Sequence, residues 1–247
     1  MLHGLGSCVE TWKYTIGALA QEHQVYAVDM VGAGRSEKPS ITYSLADQAQ
    51  FIKAFMDVLN IRSTSLVGNS MGGGVALKFA LLFPQQVEKL VLANAFGLGK
   101  EISLTLRLAS LPFVSQIRPS RSSTAVILKQ SVYNPRLITD DWVELFYQIS
   151  QLPDAQRALH MQIRTNINFW GVRSEVYRAI VEQLTTINAP TLIVWGQQDR
   201  VLPVTHAQVA AHIPNARLHI LDSCRHWPQF ERPEEFNALA REFLQTL

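Results

Sequence analysis

Gly68-Asn69-Ser70-Met71-Gly72 is a G-x-S-x-G pentapeptide, and its neighbours on both sides are apolar runs. Taken alone it says little, because Gly and Ser are common; its context says more. A serine on a sharp turn from strand to helix points its hydroxyl away from the sheet, and small residues are needed where that turn is strained. The free N–H groups opening the following helix favour a developing oxyanion. A serine alcohol also needs a base, and the base needs an acid to orient it. Asp199, in GQQDRV, and His226, in SCRHW, each follow a strand-like run. They come in the order Ser, Asp, His, at intervals of 129 and 27 residues. The expected triad is therefore Ser70, Asp199 and His226. The remaining requirement is a pair of oxyanion donors. His3-Gly4-Leu5-Gly6 is a Gly-rich turn whose Leu5 N–H can face the N–H of Met71.

Other residues of the same types have plainer readings. Asp222 also ends a strand-like run and is the alternate acid. Asp29 reads as the holder of the GAGRS loop, and His3 as a structural histidine in its own turn. His23, His160, His206, His212 and His219 lack a neighbouring motif and read as packing or surface residues. There is no HExxH and no close His/carboxylate cluster, so no metal is expected. VGAGRS lacks both the GK[ST] ending and the GxGxxG spacing of a phosphate loop.

These residues need a scaffold that brings the ends of several strands to one rim. Strand-like runs (Gln24 to Met30, Ser65 to Asn69, Val87 to Asn94, Thr191 to Gly196, and Ala216 to Asp222 as an edge) alternate with helical ones. Leu45, Ala49, Ile52, Phe55/Met56 and Leu59 recur at helical spacing, and Gly72 to Phe83 is apolar on most faces and stops before Pro84. That alternation predicts an α/β fold with a mostly parallel central sheet flanked by helices. Residues 98–186 have no clear strand and several helical patches. They are expected to form a helical lid over the carboxyl end of the sheet, with 1–97 and 187–247 as the core.

The 247 residues are 47% hydrophobic and 17% charged, which excludes a disordered or fibrous chain. A net charge of +2 without a long basic run gives no footprint for nucleic acid. No stretch reaches the roughly 18 apolar residues of a membrane span. Cys8 and Cys224 form no CxxC pair and read as unpaired thiols in a reducing, cytoplasmic compartment.

HGLGS, VDMVGAGRS, VGNSMGG, VWGQQDRVLP and HWPQFERPEEFN together resemble the α/β-hydrolase superfamily across the chain outside the lid. The resemblance implies the Ser70/Asp199/His226 triad, an oxyanion hole from Leu5 and Met71, and a helical cap over the site; no cofactor is expected. GNSMGG, FGLG and HWPQFE are most similar to the meta-cleavage-product hydrolases, which cleave a carbon–carbon bond in dienoate acids. Two departures stand out. Members usually carry an Asn shortly after the Trp of the oxyanion loop, where Trp12 is here followed by Lys13 and Tyr14. They also carry a lid Arg that pairs the substrate carboxylate, and that position falls near Phe146, with Arg157 and Arg164 nearby. Members further have two strands before the His3 loop, so the chain begins late relative to them or the sheet lacks an edge, which would favour association.

The expected function is hydrolysis of a carboxylic ester with a hydrophobic part, through an acyl-enzyme. Carbon–carbon hydrolysis of a dienoate is the alternative, and a slow-turnover ligand receptor on the same fold is a third reading. The expected partner is a small-molecule ester bound near Phe146 and Trp227, with room left for a homo-oligomer.

Overall fold

The computed structural model describes residues 1–245. In chain order it contains α1 (Lys13–Leu19), α2 (Leu45–Val58), β1 (Thr64–Asn69), α3 (Met71–Leu82) and β2 (Val87–Ala93). There follow α4 (Leu104–Ala109), α5 (Arg121–Ser131), α6 (Asp140–Ser150), α7 (Ala155–Asn166), the short strands β3 (Ile167–Asn168) and β4 (Gly171–Val172), and α8 (Ser174–Val181). The chain then forms β5 (Thr191–Gly196), α9 (Thr205–Ala210), β6 (Ala216–Leu221), α10 (Pro228–Glu231) and α11 (Pro233–Gln245).

The central sheet runs β1-β2-β5-β6, and every pairing is parallel. Its strands are apolar because both faces are covered. Leu66, Leu90, Leu92, Ile193 and Trp195 point into one core with α2 and α3, whereas Val67, Val91, Ala93, Leu192 and Val194 point into a second with α11. One-residue alternation thus sorts each strand between two layers. β6 closes the sheet with a largely exposed strand, the expected edge.

The local sequence explains the flanking helices. Ser44 and Asp47 form a reciprocal capping box at the start of α2. α3 is apolar nearly all round because it packs on the sheet, and it stops before Pro84. Its first turn lies close enough to β1 that a Cβ on Gly68 would sit 2.4 Å from the Gly72 carbonyl oxygen. A Cβ on Gly72 would meet the Leu2 carbonyl oxygen at 2.2 Å.

The segment expected as a strand over Gln24 to Met30 differs. Only Val28 pairs, in a single parallel bridge to Leu2, which itself bridges Gly68. A ladder needs a neighbour along its length. Among the described residues that neighbour is Met1-Leu2.

Between β2 and β5 the chain leaves the sheet and builds α4 to α8, together with the two-residue hairpin β3–β4. Leu128, Trp142, Phe146 and Ile149 of this helical insertion share an apolar cluster with Trp227 and Phe230 of the core. Cys8 and Cys224 are both buried and unlinked, and burial pushes both thiols up.

Candidate active site

Ser70 sits in the one-residue joint between β1 and α3, at φ 52° and ψ −119°. Such a conformation costs a non-glycine residue roughly 1–3 kcal/mol and persists only where the surroundings enforce it. Three backbone bonds do so. The Ser70 amide donates to the Ala93 carbonyl at 3.0 Å, while the Ser70 carbonyl accepts from Gly74 at 3.1 Å and Phe96 at 2.9 Å. The turn presents Ser70 to a cavity of about 680 Å³ between the sheet rim and the helical insertion.

Asp199 lies just past β5 with its side chain fully buried. Its Oδ1 accepts from the Val201 amide at 2.7 Å and the Leu202 amide at 3.2 Å. Its Oδ2 accepts from Asn94 Nδ2 at 2.6 Å and His226 Nδ1 at 2.8 Å. With four donors around it, the carboxylate is held in one orientation, and it fixes the imidazole so that Nε2 is the nitrogen left to act. Asp222, the alternate acid, is exposed and takes the Gln198 side chain at 2.7 Å.

His226 lines the same cavity as Ser70. Its peptide is held from both sides of the cavity, by the core and by the insertion. Its amide donates to the Ser131 carbonyl at the end of α5, and its carbonyl accepts from Asn69 Nδ2, both at 3.0 Å. Glu231 holds the flanking residues. Its Oε1 accepts from the amides of Arg225 at 3.0 Å and Trp227 at 3.3 Å, and its Oε2 from the Tyr133 amide. Burial pushes the Glu231 carboxyl up, opposed by those amide donors. Arg225 adds a bond from Nη1 to the Val132 carbonyl at 3.0 Å.

The expected oxyanion donors flank this point. Met71 opens α3, and the Gly4-Leu5-Gly6 turn lines the cavity beside Ser70. The turn packs so tightly that a Cβ on Gly4 would sit 3.1 Å from Ser70 Cβ. His3 anchors it as a neutral ring: Nδ1 donates to the Gly4 carbonyl at 2.8 Å and Nε2 accepts from the Met30 amide at 3.1 Å. Burial lowers its pKa. Asp29 holds its loop by accepting from the amides of Val9 and Arg35, both at 2.8 Å.

Phe146 and Trp227 both line the cavity, stacked with centroids 5.9 Å apart and planes 26° apart. Arg157 and Arg164 are not among its lining residues. Arg157 is turned outward to Asp154 and the Lys38 carbonyl. Besides His226, the basic groups that do line the cavity are His160, Arg200 and Arg225. Asn69, Asn94 and Glu231 were not singled out from sequence. The available signal was a polar Asn ending each of the buried runs SLVGN and VLAN. Among the described residues, no three His, Cys, Asp or Glu side chains are grouped to hold a metal ion.

A model of the alpha/beta hydrolase fold family matches residues 1–233. The chain is 32% identical over 258 residues to an uncharacterized protein of Mycobacterium tuberculosis, covering 100% of this chain and 74% of the relative. It is 31% identical over 258 residues to a 2-hydroxy-6-oxononadienedioate/2-hydroxy-6-oxononatrienedioate hydrolase of Comamonas testosteroni, covering 99% and 86%. Its structure is similar to that of a meta-cleavage product hydrolase from Pseudomonas fluorescens IP01, with a TM-score of 0.84 and 30% identity over 98% of this chain and 88% of that one. A serine at the strand-to-helix joint, an Asp–His pair on the next loops and a family match along nearly the whole chain lead to one conclusion: this protein belongs to the α/β-hydrolase family and is a hydrolase.

Proposed function

We propose that the protein hydrolyses a carbon–carbon bond next to a ketone in a dienoate acid, with Ser70 as nucleophile. The observation carrying this reading is the match of 99% of the chain, at 31% identity, by a relative named for hydrolysis of such an acid. It reverses the order expected from sequence, where an ester came first.

In the proposed mechanism His226 removes the Ser70 proton as Oγ attacks the ketone carbon. The oxyanion takes hydrogen bonds from the Leu5 and Met71 amides. The substrate reacts as its keto tautomer, in which the carbon next to the attacked ketone is saturated. The bond to that carbon breaks with its electron pair delocalised as a dienolate, and His226 returns the Ser70 proton to it. A carbon leaving group departs only when conjugation spreads its charge in this way. Water, deprotonated by His226, attacks the acyl-Ser70 ester and frees the acid. Asp199 orients the imidazole and stabilises its cation throughout.

Ester hydrolysis is the second reading, favoured by Phe146. A phenyl ring stacked on Trp227 cannot receive a carboxylate, and it suits an apolar acyl or alcohol group instead. The test is stopped-flow hydrolysis of 2-hydroxy-6-oxo-2,4-heptadienoate and a series of p-nitrophenyl esters by wild type and Ser70→Ala. The dienoate is expected to exceed every ester in kcat/KM by about 100-fold or more, a margin of roughly 2.7 kcal/mol in transition-state binding. Faster multiple turnover of an ester replaces the first reading with the second. Folded protein that turns over neither class removes both and leaves slow-turnover ligand sensing.

A further inference from the structure

The two halves of the helical insertion carry different surfaces. Residues 98–131 contain five basic residues (Lys100, Arg107, Arg118, Arg121 and Lys129) against one acid, Glu101. Residues 132–186 contain five basic residues against six acids. The basic half also turns large apolar side chains to solvent. Leu104 is 59% exposed, Phe113 62%, Ile117 61%, Val126 54% and Ile127 53%. Trp170, at the β3–β4 turn, is 69% exposed.

The elements that carry these residues adjoin one another. Leu104, Ile117 and Ile127 line the cavity that holds Ser70, so α4, the 110–120 segment and α5 meet at its mouth. Arg107 on α4 ties the β3–β4 turn to these elements. Its Nε donates to the Phe169 carbonyl at 2.7 Å, and its guanidinium lies 5.3 Å from the Phe169 ring centroid. Apolar side chains gathered this way, rimmed by polar groups, mark a surface that is covered in use.

We propose that this face docks on an anionic lipid bilayer, with the mouth of the Ser70 cavity turned towards the membrane. Leu, Ile, Phe and Trp beside Lys and Arg is the composition of helices that lie in a membrane interface. Each basic residue near an anionic surface adds about 1 kcal/mol. A second copy fits less well, because a two-fold interface sets the same patch against itself and brings like charges together. Among the described residues, the ion pair made by this half's basic groups is that of Arg121 with Glu144 at 2.6 Å. Among the described residues no helix is long and apolar enough to cross a membrane, so this contact is peripheral. In the ester reading, an apolar ester dissolved in the bilayer then reaches Ser70 without crossing water. The docking does not depend on which bond is cleaved.

The test is co-sedimentation of the whole protein with vesicles of phosphatidylcholine plus phosphatidylglycerol and with vesicles of phosphatidylcholine alone. Wild type is expected to sediment with the anionic vesicles, and high salt is expected to release it. The triple variant Phe113→Ser, Val126→Ser, Trp170→Ser changes side chains outside the cavity lining. It is expected to keep hydrolysis of soluble substrate and to lose about tenfold or more in vesicle affinity. Arg107→Gln with Arg118→Gln is expected to weaken binding to anionic vesicles alone, by about fivefold per charge. The proposal is overturned if active wild type stays in the supernatant with both vesicles, or if the triple variant sediments as well as wild type. It is also overturned if wild type elutes as a dimer in sizing chromatography and the triple variant as a monomer, which assigns the face to a second copy.

Discussion

At the sheet rim, the side chains of Asp199 and His226 are tied to each other and to groups from other strands' loops. Asp199 takes four donors from three segments, and Asn69 and Asn94 bridge β1, β2 and the His226 loop. The basic half of the insertion is built the other way. No residue of α4 is buried, and α5 buries only Thr124 and Leu128. Alignment for chemistry is thus concentrated in loops that rest on a two-sided core, where a small displacement would be costly. Shape and apolarity of the cavity come from helices with far fewer ties. The two regions are joined where Ser131, Val132 and Tyr133 meet the His226 loop.

The largest test of that contrast lies at the rim. Ser70→Ala is expected to cut kcat by about 10⁴-fold or more, and Asp199→Asn by a similar factor because the imidazole loses its orienting acceptor. Both variants are expected to melt as single transitions, since neither removes packed apolar volume. Steady-state kinetics beside a melting scan checks this. Activity above a tenth of wild type in either variant would remove that residue from the proposed mechanism.

An intermediate effect is expected at the junction. Glu231→Gln keeps the size of the side chain but removes its charge, so one amide oxygen must replace two carboxylate oxygens as acceptor for three amides. The His226 loop then loosens from both the core and the end of α5. We expect kcat to fall by about tenfold, the size of one weakened charge-assisted interaction, with little change in KM. Steady-state kinetics beside a melting scan checks this, and a normal kcat would mean that the junction does not govern His226.

Much of the rim was legible in sequence, for a physical reason. Ser70, Asp199 and His226 each stand just past a buried run, and parallel strands with both faces covered read as continuous apolar stretches. Thr64–Asn69, Val87–Ala93 and Thr191–Gly196 therefore emerge with boundaries within a residue or so of those expected. Gln24 to Met30 has the same look but pairs only at Val28, because pairing depends on a neighbour that local composition does not report. The supporting groups were hidden for a related reason. Asn94 meets Asp199 across 105 positions, Asn69 meets the His226 carbonyl across 157, and Glu231 meets Tyr133 across 98. The β3–β4 hairpin, with two residues per strand, is too short to set up an alternation.

The smallest expected effect concerns pH, again where insertion and core meet. His206 of α9 is buried against Trp195 and Gly99, with Nε2 3.3 Å from the exposed carboxylate of Glu101 at the start of the insertion. Burial lowers its pKa below the ordinary 6.5 in spite of that acid, and it does the same to His3 under the Leu5 turn. The unfolded chain then takes up protons that the folded chain refuses, so stability held above pH 6.5 declines as pH falls towards the folded values. Glu101, held low by its own backbone amide and by His206, acts at more acid pH. Below pH 6.5 His160, also lowered by burial, adds to the decline, while Glu231, pushed up by burial, opposes it. A fall of a few degrees in Tm is expected as pH drops below 6.5. His206→Gln can still donate to Glu101 but takes no proton, so part of that fall should vanish while Tm near neutral pH changes little. If the slope survives in His206→Gln and disappears in His3→Asn, the acid sensitivity belongs to the rim rather than to the junction.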